Sequence, residues 1–204
     1  MRMRHKKHEK ERMEAVRSFL VTDPSTLSGK TPLHLEIGCG KGAFIAETAR
    51  RNPDVQFLAV EKVSSVLVLA MEKAAAAELT NVQFFSGDIM RLADFTLDGK
   101  VQRIYLNFSD PWPRLKHAKR RLTAPTFLAL YKKLLAPGGE IIMKTDNVPL
   151  FDFSLQTLPE SGFTLESITR DLHAEQDPEN VMTEYETNFS SQGIPICRLK
   201  AKLL

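Results

Sequence analysis

The sequence contains only two cysteines, Cys39 and Cys197, among its 204 residues. They lie far apart and show no metal-ligand spacing, so the chain has neither a disulfide framework nor a zinc signature. The longest apolar run, residues 66–71, is far too short to span a bilayer, and no apolar signal segment follows the basic N-terminus. These absences predict a cytoplasmic protein with no membrane segment and no bound metal.

Internal repeats and low-complexity linkers are also absent. Hydrophobic residues make up 43% and charged residues 26% of the sequence, the balance of an ordinary globular protein. A chain of this length is typical of one domain. We therefore expect a basic arm with a short helix over residues 1–20 and a single domain over residues 21–204. No surplus apolar helix is evident, which favours a monomer over a homodimer.

The positive charge is concentrated in two segments. Residues 1–17 carry seven Lys or Arg against three Glu, and residues 114–121 carry five Lys or Arg and no acid. Because the whole chain has a net charge of only +3, the remainder is mildly acidic. Two basic patches on an acidic body favour a polyanion-binding site, with a solvated charged face as the alternative.

Short apolar runs alternate with segments of helical length. The predicted strands cover residues 33–37, 55–60, 82–85, 101–108 and 140–144, and the predicted helices cover residues 43–51, 63–79, 89–95 and 124–136. A helix near 148–158, an apolar-polar alternation at 163–169 and a strand near 194–200 follow. This pattern predicts an α/β fold with a mostly parallel sheet and helices on both faces. In "LLAPGGEIIMK" we expect Pro-Gly-Gly to end a helix before a buried strand.

Three glycines, Gly38, Gly40 and Gly42, lie between the first predicted strand and the first helix. Such a loop lets the backbone turn tightly and approach a cofactor, and with Ala43 it satisfies the dinucleotide spacing G-x-G-x-x-A. Glu36, two residues earlier, would oppose a pyrophosphate but suits a ligand carrying an ammonium or sulfonium charge. A phosphate-binding P-loop is disfavoured still more, because both its spacing and the following Ser or Thr are missing.

An acidic residue also follows each of the next three strands. Glu61 ends the second, Asp88 follows the third and Asp110 follows the fourth. Taken singly, each would more often be a helix cap or a solvated loop carboxylate. Because the carboxyl ends of parallel strands meet at one sheet edge, the set predicts a cofactor with a nucleoside and a positive charge.

The motifs "LEIGCGKG", "VEK", "GDI" and "LAPGGEIIMKTDN" resemble those of S-adenosylmethionine-dependent methyltransferases with the seven-stranded Rossmann-like fold. The resemblance implies a mostly parallel sheet with an antiparallel C-terminal strand. It also implies S-adenosylmethionine as cofactor, bound by Glu36, Gly38, Gly40, Gly42, Glu61, Asp88 and Asp110.

The segment "FSDPWPRLKHAKRRL" is similar to the signature of bacterial tRNA (guanine-N7)-methyltransferases, commonly written F-P-D-P-W-P-K-x-R-H-x-K-R-R. "KTDN" and "TEYE" match as well. The resemblance implies methyl transfer to N7 of a guanine in tRNA, in the variable loop, with Asp110 as the catalytic residue. Ser109, Arg114 and Lys116 depart from the signature, where Pro, Lys and Arg are usual.

The segment after Asp110 predicts an RNA contact. Pro111 and Pro113 restrict the loop, and the basic run that follows would hold the phosphates flanking the target base. Trp112 either wedges the loop onto the core or stacks on a base. The residues expected to contact RNA in this run are Arg114, Lys116, His117, Lys119, Arg120 and Arg121. The resemblance adds the substrate-side residues Asp146, Thr183, Glu184, Tyr185 and Glu186, although "TEYE" also fits an N-terminal helix cap.

Three alternatives remain open from the residues. The G-x-G-x-x-A spacing would fit a nicotinamide-dependent oxidoreductase, which Glu36 disfavours. A non-catalytic RNA-binding module could retain the fold. A methyltransferase could also act on another acceptor, since a fold alone does not identify a substrate.

Overall fold

The computed structural model describes residues 8–27 and 32–203. Residues 1–7 of the predicted basic arm and short helix (1–20) lie outside the described residues. Seven strands form one mixed sheet, and the chain divides after Thr96 into two compact units. The single domain expected over residues 21–204 stays a prediction.

The first unit contains three strands in the order β3-β2-β1, all parallel. Its elements are α1 (Glu9–Ala15), β1 (Leu33–Ile37), α2 (Ala43–Arg51), β2 (Gln56–Glu61), α3 (Ser64–Ala76) and β3 (Val82–Ser86), with 3-10 helices at Arg17–Phe19, Pro24–Leu27 and Ile89–Asp94. Ile37 pairs with Val60, and Glu61 pairs with Ser86. The three strands therefore end at the same level, as the sequence predicted.

The second unit contains four strands in the order β4-β5-β7-β6. Its elements are β4 (Val101–Asn107), α4 (Pro125–Leu134), β5 (Leu135–Thr145), α5 (Val148–Glu160), β6 (Phe163–Thr169), α6 (Glu184–Ser190) and β7 (Cys197–Leu203), with 3-10 helices at Leu115–Arg120 and His173–Glu175. β4 and β5 are parallel, whereas β7 runs antiparallel to both β5 and β6. This confirms the predicted mixed sheet with an antiparallel C-terminal strand.

The junction between α4 and β5 differs from the prediction. The helix ends at Leu134 and the strand begins at once, so Pro-Gly-Gly lies within β5 rather than before it. Leu135 pairs with Val101, but the next pair joins Glu140 to Arg103, so residues 136–139 form a bulge. A Cβ at Gly139 would lie 2.9 Å from the Ala136 carbonyl oxygen, which explains why this bulge needs glycine.

The short N-terminal helix α1 is attached to the first unit. Arg12 donates two hydrogen bonds to the carboxylate of Glu72 on α3, and Ser64 Oγ donates to Glu9 at 2.7 Å. Phe19 packs edge-on against Phe84, the sheet residue that also bridges to Leu20. Among the described helices, none has both the length and the apolar character needed to cross a membrane.

Gly42 provides a test of how the glycine loop is packed. Its φ is +78°, and a Cβ there would lie 2.6 Å from the Ala70 Cβ on α3. Gly42→Ala combines left-handed strain with overpacking, so we expect a loss of about 2–4 kcal/mol in the free energy of unfolding, measured by urea denaturation.

Gly99→Ala is the matched control, because Gly99 has a φ of +67° but open space around it. Strain alone should cost it about 1–2 kcal/mol. Adding Ala70→Gly should not rescue Gly42→Ala, because the backbone Cα of residue 70 would still lie 2.8 Å from the new Cβ. Equal losses at Gly42 and Gly99 would show that the contact with Ala70 is unimportant.

Candidate active site

The glycine loop of the first unit is held in a left-handed conformation at all three of its glycines. Gly38, Gly40 and Gly42 have φ values of +75°, +56° and +78°. The Gly38 amide donates to the Val60 carbonyl oxygen at 2.8 Å, which fixes the loop to the end of β2. A Cβ added at Gly38 or Gly40 would meet no atom within 4 Å. The loop therefore borders open space that a ligand could enter.

Glu61 joins the glycine loop to the start of α3. Its Oε2 accepts a hydrogen bond from the Gly40 amide at 3.2 Å, and its Oε1 accepts one from the Val63 amide at 2.9 Å. A carboxylate oxygen has a second lone pair, so both oxygens retain acceptor capacity for a hydroxyl group. Glu61 thus stabilises the loop and can also bind a diol.

The other two acids of this unit differ in environment. Glu36 is buried within β1. Asp88 is exposed and caps the following 3-10 helix, accepting a hydrogen bond from the Met90 amide at 2.9 Å. The capping alternative considered for the single acids therefore holds for Asp88, and its cofactor contact stays a prediction.

Cys39 fills the glycine loop as a buried thiol. Burial raises its pKa well above the ordinary value, and the nearby carboxylates of Glu36 and Glu61 raise it further. The thiol is therefore neutral and a poor nucleophile at physiological pH.

In the second unit, the segment after β4 contains two strained residues. Phe108 and Trp112 have φ values of +50° and +42°, which bulky side chains rarely adopt. The Phe108 amide donates to the Lys144 carbonyl oxygen at 2.8 Å, which attaches the start of this segment to β5. Backbone strain of this kind persists only where the surroundings enforce it, and it is concentrated at functional sites.

Arg121 fixes this strained loop. Only 6% of Arg121 is exposed, and its guanidinium donates to the carbonyl oxygens of Pro111 at 3.1 Å and Trp112 at 3.2 Å. It also lies 4.5 Å from the ring centroid of Phe153. Asp110, in the same loop, is exposed. Arg121 thus has a structural role, and its predicted RNA contact stays a prediction.

The rest of the basic run is available to a ligand. Its exposed cations are Arg114, Lys116, Lys119 and Arg120. The guanidinium of Arg120 lies 4.9 Å from the Trp112 ring centroid, and His117 packs edge-on against the same ring. Trp112 therefore contacts two residues of the basic run. The sequence pattern alone did not link the Trp112 ring to these residues.

A buried ion pair joins two motifs that are distant in sequence. Lys144 Nζ lies 2.5 Å from Glu186 Oε2, and both residues are at most 2% exposed. The ammonium also donates to the Val181 carbonyl oxygen at 2.7 Å and to Asn180 Oδ1 at 3.2 Å. Asn180 in turn donates to Glu186 Oε1 at 2.6 Å. "KTDN" and "TEYE" are thus parts of one hydrogen-bonded network.

Sequence reasoning did not assign Lys144. The signal was present, because a Lys inside the apolar run "EIIMKT" requires a buried acidic partner.

The remaining predicted substrate residues occupy different environments. Asp146 is half-buried directly after β5. Thr183 and Glu186 form a capping box at the start of α6, which confirms the capping alternative. Glu184 and Tyr185 are exposed. Within residues 8–27 and 32–203, no group of three or more His, Cys, Asp or Glu side chains is placed to hold a metal ion.

Comparison with known proteins identifies the class. Residues 30–199 match the family model described as "Putative methyltransferase". The 16S rRNA methyltransferase KamB superimposes with a TM-score of 0.62 at 17% identity, over 99% of this chain and 96% of that one. The antibiotic-resistance methyltransferase Kmr gives 0.59 at 17% identity, over 88% and 90% of the chains. The chain therefore has the Rossmann-like fold of the S-adenosylmethionine-dependent methyltransferases.

Sequence relatives narrow the class to one family. The tRNA (guanine-N(7)-)-methyltransferase of Geobacillus kaustophilus (strain HTA426) is 46% identical, over 98% of this chain and 96% of the relative. That of Lactococcus lactis subsp. cremoris (strain MG1363) is 44% identical, over 100% and 99%. The chain belongs to the tRNA (guanine-N(7)-)-methyltransferase family. This confirms the resemblance and does not support the oxidoreductase alternative.

Breaking the buried ion pair should be costly. Lys144→Met leaves the Glu186 carboxylate buried without its ammonium, so we expect a loss of about 3–5 kcal/mol in the free energy of unfolding. The double variant Lys144→Met/Glu186→Gln should be more stable than Lys144→Met alone, because it buries no charge.

The exposed pair Arg170–Asp152 is the control, since both side chains are more than half exposed. Arg170→Met should hardly change the urea midpoint. A Lys144→Met protein as stable as Arg170→Met would contradict the importance of the pair.

Proposed function

We propose that this protein transfers the methyl group of S-adenosylmethionine to N7 of a guanine in tRNA, producing 7-methylguanosine and S-adenosylhomocysteine. The observation that supports this best is the identity of 42–46% with tRNA (guanine-N(7)-)-methyltransferases over nearly the full length of the chain. The family resemblance further points to the guanine of the variable loop. We expect the enzyme to act in the cytoplasm and as a monomer.

The glycine loop and its acids fit this cofactor. Open space beside Gly38 and Gly40 allows an adenosyl group to approach the backbone, and the spare lone pairs of Glu61 suit a ribose diol. Glu36 is an acid at a position where a pyrophosphate would be repelled and a sulfonium attracted. When bound, S-adenosylmethionine supplies an electrophilic methyl group on a positively charged sulfur.

The reaction needs little acid-base chemistry from the protein. Guanine N7 carries an in-plane lone pair at neutral pH, so no general base is required to activate it. The enzyme must instead align N7 with the methyl group and favour the positive charge that develops on the purine.

Asp110 is suited to that electrostatic role. It is exposed on a loop whose backbone is fixed by Pro111 and by Arg121. A carboxylate carried by a fixed backbone can accept hydrogen bonds from the Watson-Crick edge of guanine, and its negative charge favours the cationic product. We assign Asp110 as the catalytic residue and Asp146 as a second acidic contact to the substrate.

The basic run supplies phosphate contacts. Exposed cations on the 3-10 helix directly after the Asp110 loop can hold the RNA backbone on both sides of the target base. A guanine in folded RNA must first be unstacked, at a cost of a few kcal/mol that such contacts can offset.

The test is incorporation of labelled methyl from S-adenosylmethionine into unmodified total tRNA, followed by borohydride and aniline treatment, which cleaves RNA at 7-methylguanosine. Cleavage at one discrete guanine is expected. Incorporation without cleavage would exclude N7 and favour another acceptor atom. No incorporation by protein that binds cofactor and RNA would favour the non-catalytic binding module.

Asp110→Asn should lower kcat in this assay by roughly 10- to 1000-fold, because the amide keeps the shape but removes the charge. Asp98→Asn, at another exposed acid of the same unit, should leave kcat unchanged. An Asp110→Asn protein that folds, binds cofactor and retains full turnover would rule out this role.

A further inference from the structure

Tyr185 is a large aromatic side chain that the fold leaves in solvent. It is the second residue of α6, and 65% of it is exposed. The capping box of Thr183 and Glu186 is sufficient to begin the helix, so α6 does not need an aromatic residue here. A tyrosine that contributes little to the core and is mostly exposed is a candidate ligand contact.

The Tyr185 ring has a defined orientation despite its exposure. It stacks on Phe108 with ring centroids 6.3 Å apart and planes inclined by 17°, and on Phe189 at 6.3 Å and 24°. Nearly parallel rings in contact at this centroid separation are displaced sideways by about 5 Å, so they overlap only at their edges. Ring surface therefore stays accessible, in agreement with the exposed fraction.

Both Phe108 and Tyr185 are attached to Lys144. Lys144 accepts a hydrogen bond from the Phe108 amide through its carbonyl oxygen, and its ammonium binds Glu186, the residue after Tyr185. One residue of β5 thus positions both Phe108 and Tyr185. Phe108 precedes Asp110 by two residues, so the stack belongs to the same strained segment as the proposed catalytic carboxylate.

A simpler explanation covers only part of this arrangement. Tyr185 and Phe189 are four residues apart on α6, and such pairs stabilise a helix by about 0.2–0.5 kcal/mol. That pairing explains the contact with Phe189. It does not explain the second contact with Phe108, which comes from a different element and has a left-handed backbone conformation.

Pre-oriented, exposed aromatic rings beside a cationic segment are the usual platform for unstacked RNA bases. Base-aromatic stacking contributes about 1–3 kcal/mol per base, and enzymes that modify a base inside folded RNA must hold it outside its stack. Trp112 is less suited to this role, because it is half-buried, whereas 65% of Tyr185 is exposed.

We infer that Tyr185, supported by Phe108, is a stacking platform for a nucleobase of the tRNA at the methylation site. This assignment rests on the proposed function. It gives "TEYE" two distinct parts, with Thr183 and Glu186 building the helix start and Tyr185 contacting the base.

Replacing the ring tests the inference. Tyr185→Leu keeps the size and apolar character but removes the π-face, so kcat/KM for tRNA should fall by roughly 5- to 150-fold. Tyr185→Phe should restore most of this loss, and Tyr185→Trp should restore it at least as well. The thermal midpoint should change only slightly, and the affinity for S-adenosylhomocysteine should not change. Ile168→Ala, at a half-exposed apolar residue on β6, is the control and should match the wild type.

The kinetic constants identify the base. If the target guanine itself stacks on Tyr185, kcat at saturating tRNA should fall in Tyr185→Leu. If a neighbouring nucleotide stacks there, KM should rise while kcat holds. Wild-type kinetics in Tyr185→Leu, or equal losses in Tyr185→Leu and Tyr185→Phe, would overturn the stacking role. Absence of methyl transfer by the wild-type protein would instead reject the proposed function.

Discussion

The second unit depends on one buried ion pair. Lys144 emerges from the end of β5 into an environment with almost no solvent, where an ammonium is tolerated only with an acidic partner and satisfied donors. Glu186, Asn180 and the Val181 carbonyl oxygen meet that requirement. In doing so they attach the start of α6 to the strand that also holds Phe108. The electrostatic need of one side chain thus determines how the "KTDN" and "TEYE" motifs are joined.

A buried cation also stabilises the loop that carries Asp110. Phe108 and Trp112 have left-handed conformations that would relax if the loop were free. The guanidinium of Arg121 prevents this by donating hydrogen bonds to the carbonyl oxygens of Pro111 and Trp112. Cations in this unit therefore serve two purposes. The buried Arg121 stabilises strained backbone, whereas exposed cations such as Lys116 and Lys119 remain available for phosphate groups. The net charge of the segment does not show which cations are structural and which can bind phosphate, because this depends on how deeply each side chain is buried.

The first unit uses carboxylates in a comparable way. Glu61 holds the backbone amides of Gly40 and Val63 and still has lone pairs available for a ligand. The loop is therefore formed before a cofactor arrives, which reduces the ordering that binding requires. Cys39, which fills the loop, stays neutral because burial and two nearby carboxylates raise its pKa.

The sequence by itself determined the order of strands and helices, the glycine loop, the acids at the strand ends and the family, because these depend on local periodicity and on motifs that are contiguous in the chain. It placed β1 and α2 at their observed bounds but misjudged the junction of α4 and β5, where pairing with β4 holds Pro-Gly-Gly inside a bulged strand. Only the tertiary structure decided which charged residues are buried. Arg121 and Arg120 are neighbours in one basic run, yet one supports the loop and the other faces solvent. Lys144 and Glu186 are 42 residues apart, and their pairing follows from the fold because desolvation makes an isolated charge there prohibitive.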